Sequence, residues 1–124
     1  MGSEYASGGG GCVSTVEDYI KFLEAVRIGD IILKKDTIKL MAVDRLNDKI
    51  RPNWVFTKKG YGYGLGVRCP KEGGSRTDFG WSGAAGSYLA IDPVHNVTLF
   101  YVQHVLNSPN TMIKSQVYDF AIED

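Results

Sequence analysis

Asp78-Phe79-Gly80-Trp81-Ser82-Gly83-Ala84-Ala85-Gly86-Ser87-Tyr88 decides how this chain folds. Phe79 and Trp81 alternate with small residues into a Ser-Gly step, a run of small residues follows, and a fresh strand begins at Ser87. Glycines at 80, 83 and 86 allow conformations that other residues resist and leave room for close approach to the main chain. Two readings follow. A strand, a Gly-rich turn and a second strand need no ligand, and local sequence alone prefers this. The other is a strand end whose exposed edge offers N–H and C=O groups to a ligand.

Downstream, Ser87 to Ile91 reads as a strand, Asp92-Pro93-Val94-His95-Asn96 as a turn, and Val97 to His104 as a returning strand rich in β-branched and aromatic residues. Ser108 and Pro109 fit the cap and first position of a last helix, with Ile113, Val117, Phe120 and Ala121 as its apolar stripe. Upstream, Tyr61 to Val67 alternates strictly, with Tyr61, Tyr63, Leu65 and Val67 on one side and almost only glycine on the other. It reads as one strand with a bare face on which backbone or a bound group can sit. Pro70 to Thr77 is a polar loop, and Asp44 to Gly60 lacks periodicity. Trp54 within it is either a ligand contact or a lid over the core.

Nearer the start, Ser14-Thr15-Val16-Glu17 is a capping box, with Ser14 as the cap. Val16, Tyr19, Ile20, Leu23 and Val26 recur at helical spacing, predicting a helix over Thr15 to Ile28 stopped by Gly29. A second helix is predicted from Lys35 to Val43, burying Ile38, Leu40 and Met41. Met1 to Gly11 is Gly-rich: either a flexible linker or a tight loop against other backbone, without a phosphate-loop signature. The expected fold is α+β: an antiparallel sheet of three to four strands packed by an N-terminal helix pair and a C-terminal helix.

Composition narrows the function. Lys+Arg and Asp+Glu balance at 14 each, which argues against a nucleic-acid or anionic-membrane surface. No apolar run reaches transmembrane length and no signal peptide is visible, so cytoplasmic placement is the expectation. Cys12 and Cys69 are read as small buried hydrophobes in a reducing compartment, and His95 and His104 as surface or strand-end residues. No metal or cofactor is expected.

Three segments together resemble one family. Ser7 to Tyr19, with Gly8 to Gly11 and Ser14-Thr15-Val16-Glu17-Asp18, is similar to the glycine-rich run before a helix in the penicillin-recognising serine hydrolases. That group includes class C β-lactamases, carboxylesterases and D-alanyl-D-alanine carboxypeptidase-like proteins. Tyr61 to Gly66 resembles their Gly-Tyr-Gly-Leu-Gly strand, and Gly80 to Ser87 the strand carrying their third motif, Lys/His-Thr/Ser-Gly. The resemblance implies a partial β-lactamase/transpeptidase-like fold, with residues 1–124 forming the C-terminal part of a larger hydrolase domain.

It also implies roles. Trp81, Ser82 and Gly83 would be the third wall, with Ser82 offering a hydroxyl to substrate. The N–H of Ala84 would be one oxyanion-hole donor, worth about 3 kcal/mol of transition-state stabilisation. Trp81 where β-lactamases carry Lys leans toward an esterase-like member. No Ser-x-x-Lys and no Tyr-x-Asn occurs in the chain. Ser108-Pro109-Asn110 and Thr111-Met112-Ile113-Lys114 are near-misses in the wrong order. The chain is therefore expected to lack its nucleophile and to be inactive alone; the alternative is a non-catalytic module binding a peptide or acyl group along Trp81-Ser82-Gly83. Val97 to His104 is expected to be an open apolar edge, paired either by an absent N-terminal segment of the parent hydrolase or by a second copy in a homo-oligomer.

Overall fold

The computed structural model describes residues 4–5, 7–106 and 111–123. Helix α1 spans Val16–Ile28. Its cap is Thr15, not Ser14: Thr15 is extended and its Oγ1 accepts from Asp18 N at 3.1 Å, while the Ser14 hydroxyl reaches only the Thr15 carbonyl. The helix stops at Gly29, whose φ of 74° suits glycine. Helix α2, Lys35–Met41, is shorter than expected. Ile38 is buried, but Leu40 is exposed and Met41 half-buried. After Met41 the chain runs beside the Tyr61 to Leu65 segment instead, with Leu65 N donating to Met41 O at 3.0 Å and Arg45 N to Tyr63 O at 2.9 Å.

Among the described residues the sheet is antiparallel and has five strands, not three to four: β1 Tyr61–Tyr63, β2 Arg68–Pro70, β3 Phe79–Ser82, β4 Tyr88–Asp92 and β5 Val97–Tyr101, in that spatial order. The additional strand comes from the glycine-alternating stretch. It is a hairpin rather than one strand, closed by Gly64 N to Val67 O at 2.9 Å, with Gly66 at φ 77° in the turn. A period-2 pattern runs on unbroken through so short a turn, which hides it from the sequence. The bare glycine face is filled from within. A Cβ on Gly62 would collide with the Asp44 carboxylate, and one on Gly64 with the Met41 carbonyl.

Alternation along β4 separates two cores. Ile91 joins Leu23 and Val26 of α1, Ile38 of α2, Cys69 and Phe79, with Leu89 and Phe100 packed alongside. Tyr88 and Ala90 pack on Tyr118, with Leu99, Tyr101 and Ile122. Helices therefore cover both faces, α1 and α2 on one and α3, Thr111–Ile122, on the other. The expected Ser108–Pro109 start of α3, the Ser108-Pro109-Asn110 near-miss and the Ile113 side chain lie outside the described residues. The predicted stripe is otherwise displaced: Tyr118 is buried, Ile122 packs on the core, and Phe120 is exposed.

Among the described residues β5 pairs only with β4 and ends at Tyr101, so the outer edge expected over Val97 to His104 is confined to Val97–Tyr101. Cys69 is buried, and burial pushes its thiol up to about 11; Cys12 is exposed, not buried as expected. Residues Ser7 to Gly11 fold into a self-contained exposed turn, Gly11 N to Ser7 O at 2.9 Å. Among the described residues no helix is long and apolar enough to cross a membrane.

Candidate functional site

The candidate residues stand where β3 outruns its neighbour. Pairing between β2 and β3 is limited to Arg68↔Gly80, whereas β3 and β4 pair from Phe79↔Ile91 to Ser82↔Tyr88. Among the described residues Trp81 and Ser82 thus have a strand partner on the β4 side only. Register places Trp81 opposite Leu89 and Ser82 opposite Tyr88, so the indole and the hydroxyl leave the strand on opposite faces. The structure brings Trp81, Ser82, Gly83 and Ala84 to one strand end but does not put the first two side chains on one surface.

A tight turn follows. Gly83 N donates to Ser87 O at 2.8 Å and Gly86 N to Gly83 O at 3.1 Å, and Val105 N braces the turn through Ala85 O at 3.1 Å. Ala84 is at its exposed tip, and among the described residues its N–H donates to nothing. Ser82 is half-buried, and its hydroxyl likewise makes no hydrogen bond to a described group.

Four aromatic rings cluster at Trp81. Trp81 lies 5.7 Å from Tyr63, 5.9 Å from Phe56 and 6.1 Å from Trp54, measured between ring centroids. Trp54 is 4.7 Å from Tyr63 and 5.6 Å from Phe56. Trp54 is half-buried, and its indole nitrogen is buried without a hydrogen-bond partner among the described residues. It is thus placed by ring contacts. Sequence reasoning singled out Trp54 and Trp81 separately and did not join them. The partners come from a loop, a hairpin and β3, and no local spacing connects them.

Beneath the strand end is a buried polar network that sequence reasoning missed. Arg68 donates to Asp78 Oδ2 at 2.6 Å, to the Tyr88 hydroxyl at 2.7 Å and to Leu89 O at 3.0 Å. Its guanidinium sits over the rings of Tyr61 and Tyr88, and the Tyr61 hydroxyl donates to Asp78 Oδ1 at 2.5 Å. Burial is the largest influence on Asp78 and pushes its carboxyl above the ordinary range, against the pull of Arg68 and Tyr61. Burial also drives the Tyr88 hydroxyl up to about 12. The network fixes the start of β3 and leaves its charged groups engaged with one another. The signal available in sequence was the presence of charged residues inside otherwise apolar stretches.

Asp92 anchors the turn after β4. It accepts from Tyr118 at 2.6 Å, Thr77 at 2.7 Å and the backbone of Val94 at 2.8 Å, and pairs with His95 Nδ1 at 2.6 Å. Burial raises its carboxyl, but the bonds from Tyr118, Thr77 and His95 outweigh that and hold it down to about 2. A cavity of about 350 Å³ opens nearby, lined by Arg76, Thr77, Tyr118 and Asp119 among others, and includes none of Trp81 to Ala84. The lining Thr77 hydroxyl lies 3.2 Å from His95 Nδ1 and donates to Asp92. Among the described residues no group of acidic, His or Cys side chains could hold a metal.

The family model described as Beta-lactamase matches residues 1–119. Two curated relatives, "Uncharacterized protein MT1414" of Mycobacterium tuberculosis (strain CDC 1551 / Oshkosh) and "Protein Rv1367c" of Mycobacterium tuberculosis (strain ATCC 25618 / H37Rv), are each 31% identical over 124 residues. Each alignment covers 81% of this chain but 29% of the relative, so the chain spans under a third of the length of the proteins it matches.

Proposed function

The chain belongs to the β-lactamase family, and from that premise we propose that it is the C-terminal portion of a serine hydrolase acting on esters or amides, carrying the third wall of the site and inactive by itself. The unpartnered N–H of Ala84, exposed at the turn after Trp81-Ser82-Gly83, carries this reading. An oxyanion donor must be free of internal partners and held rigidly, and the Gly83–Ser87 and Ala85–Val105 bonds hold that turn. The half-buried Ser82 hydroxyl, free of described partners, supports its role as a substrate contact. The nucleophile and its base are supplied by polypeptide outside these residues, because the chain contains neither Ser-x-x-Lys nor Tyr-x-Asn. Trp81 in the Lys position favours esters.

The test is amide-shift mapping of the chain with a simple ester, together with an assay for hydrolysis. Shifts at Ser82, Gly83 and Ala84 without turnover are expected; turnover by the chain alone, or shifts elsewhere with none at these residues, overturns the reading. The same absence of Ser-x-x-Lys also favours a second reading, a non-catalytic module binding along Trp81-Ser82-Gly83. The two part when a Ser-x-x-Lys-bearing polypeptide is added: hydrolysis appears under the first and not under the second.

A further inference from the structure

The cavity of about 350 Å³ between the loop before β3 and the C-terminal end of α3 is large enough for a small ligand. Its polar lining is held in place. Arg76 lies over the rings of Tyr61 and Tyr118 and donates through Nη1 to Asp119 Oδ1. The two side chains of that pair nevertheless stay 24% and 40% exposed. A guanidinium has five N–H donors, and among the described residues Arg76 uses Nη1 alone. Asp119 Oδ2 and the Glu123 carboxylate likewise meet no described donor. The Thr77 and Tyr118 hydroxyls also line the cavity but are committed to Asp92, and Ile122 adds apolar surface.

Charge sorts the ligands that fit this lining. An anion reaching Arg76 meets the carboxylates of Asp119 and Glu123, and a cation reaching Asp119 meets the guanidinium already bound to it. A neutral vicinal diol meets neither obstacle. One hydroxyl donates to a spare carboxylate oxygen while its neighbour accepts from a spare Arg76 N–H, and the ion pair stays whole. Each of those bonds has a charged partner and is the stronger for it. We propose that this cavity binds a neutral polyhydroxylated ligand, a sugar or polyol, with Arg76 and Asp119 reading adjacent hydroxyls as a pair. The site stands apart from the ligand edge, since none of Trp81 to Ala84 lines it.

Amide-shift titration of the intact chain with methyl β-D-glucopyranoside tests this, with acetate and methylammonium in parallel. The glucoside is expected to shift Ser75, Arg76, Asp119 and Ile122 with a Kd on the order of 1 mM, and the two ions to leave them in place at the same concentration. A vicinal cyclohexanediol is expected to bind about tenfold more tightly than cyclohexanol, which has the same ring and one hydroxyl fewer. Asp119→Asn keeps the side-chain shape and is expected to weaken the glucoside by about tenfold, with the amides of β3 and β4 unmoved. The comparison of diol and alcohol needs no substitution, so the test stands whether or not that variant folds. Acetate or methylammonium binding as tightly as the glucoside overturns the ligand class. Equal affinity for the diol and the alcohol overturns the paired reading, and no shift at these residues with any probe overturns the site.

Discussion

Arg68 and Asp92 carry the two polar decisions of the fold. Arg68 is 2% exposed and bound to an Asp78 that is fully buried. Arg68→Met would strand that carboxyl, at a cost of about 3–5 kcal/mol, a large part of the stability of a small domain. Urea unfolding should show that loss and a partial recovery in the double variant Arg68→Met/Asp78→Leu. Asp92 sets the acid limit. Its carboxyl is held at about 2 against an ordinary 3.8, so its contribution is complete above pH 4 and is lost as pH falls toward 2. Unfolding midpoints should drop through that window and flatten in Asp92→Asn, which titrates nothing there. Neither role was legible in sequence. Asp92 looks like the first residue of an Asp-Pro turn, and only the fold brings Tyr118, 26 positions away, to its oxygen.

At the scale of elements, the sequence declared periodicity well and tight turns poorly. α1 was legible because its stripe and Gly29 agree, although its cap fell one residue from the expected one. The β3–turn–β4 unit was legible because alternation breaks at a run of small residues. Tyr61 to Val67 was misread as one strand because glycine at 62, 64 and 66 marks both a close approach and a turn, and spacing does not distinguish them. Gly64→Ala separates these roles by experiment. The new Cβ meets the Met41 carbonyl, backbone that must move, at a cost of roughly 1–3 kcal/mol. Gly9→Ala meets nothing within 4 Å and should change stability by less than about 0.5 kcal/mol. Thermal melts of the two variants check this. An equal effect in both would mean that the 41–45 segment does not pack on β1 as described.

For the whole molecule, β5 and the candidate site stand at different places on the sheet. β5 is an outermost strand among the described residues, rich in Val97, Leu99, Phe100 and Tyr101. Unprotected edges of this composition recruit strands. Light scattering at increasing concentration is therefore expected to show self-association when nothing else covers the edge, and a clean monomer at the highest soluble concentration would count against it. Family membership was legible because three short motifs occur in the right order. The aromatic cluster was not, since its four rings converge only in space. Under the proposed function this chain supplies a wall and an N–H donor while the nucleophile comes from another polypeptide. Intact-mass spectrometry after incubation with a fluorophosphonate tests it most directly, on the chain alone and mixed with a Ser-x-x-Lys-bearing polypeptide. An unmodified mass is expected for this chain in both samples, with the phosphonyl group found only on the other polypeptide. A phosphonyl adduct on any serine or threonine of this chain would contradict it.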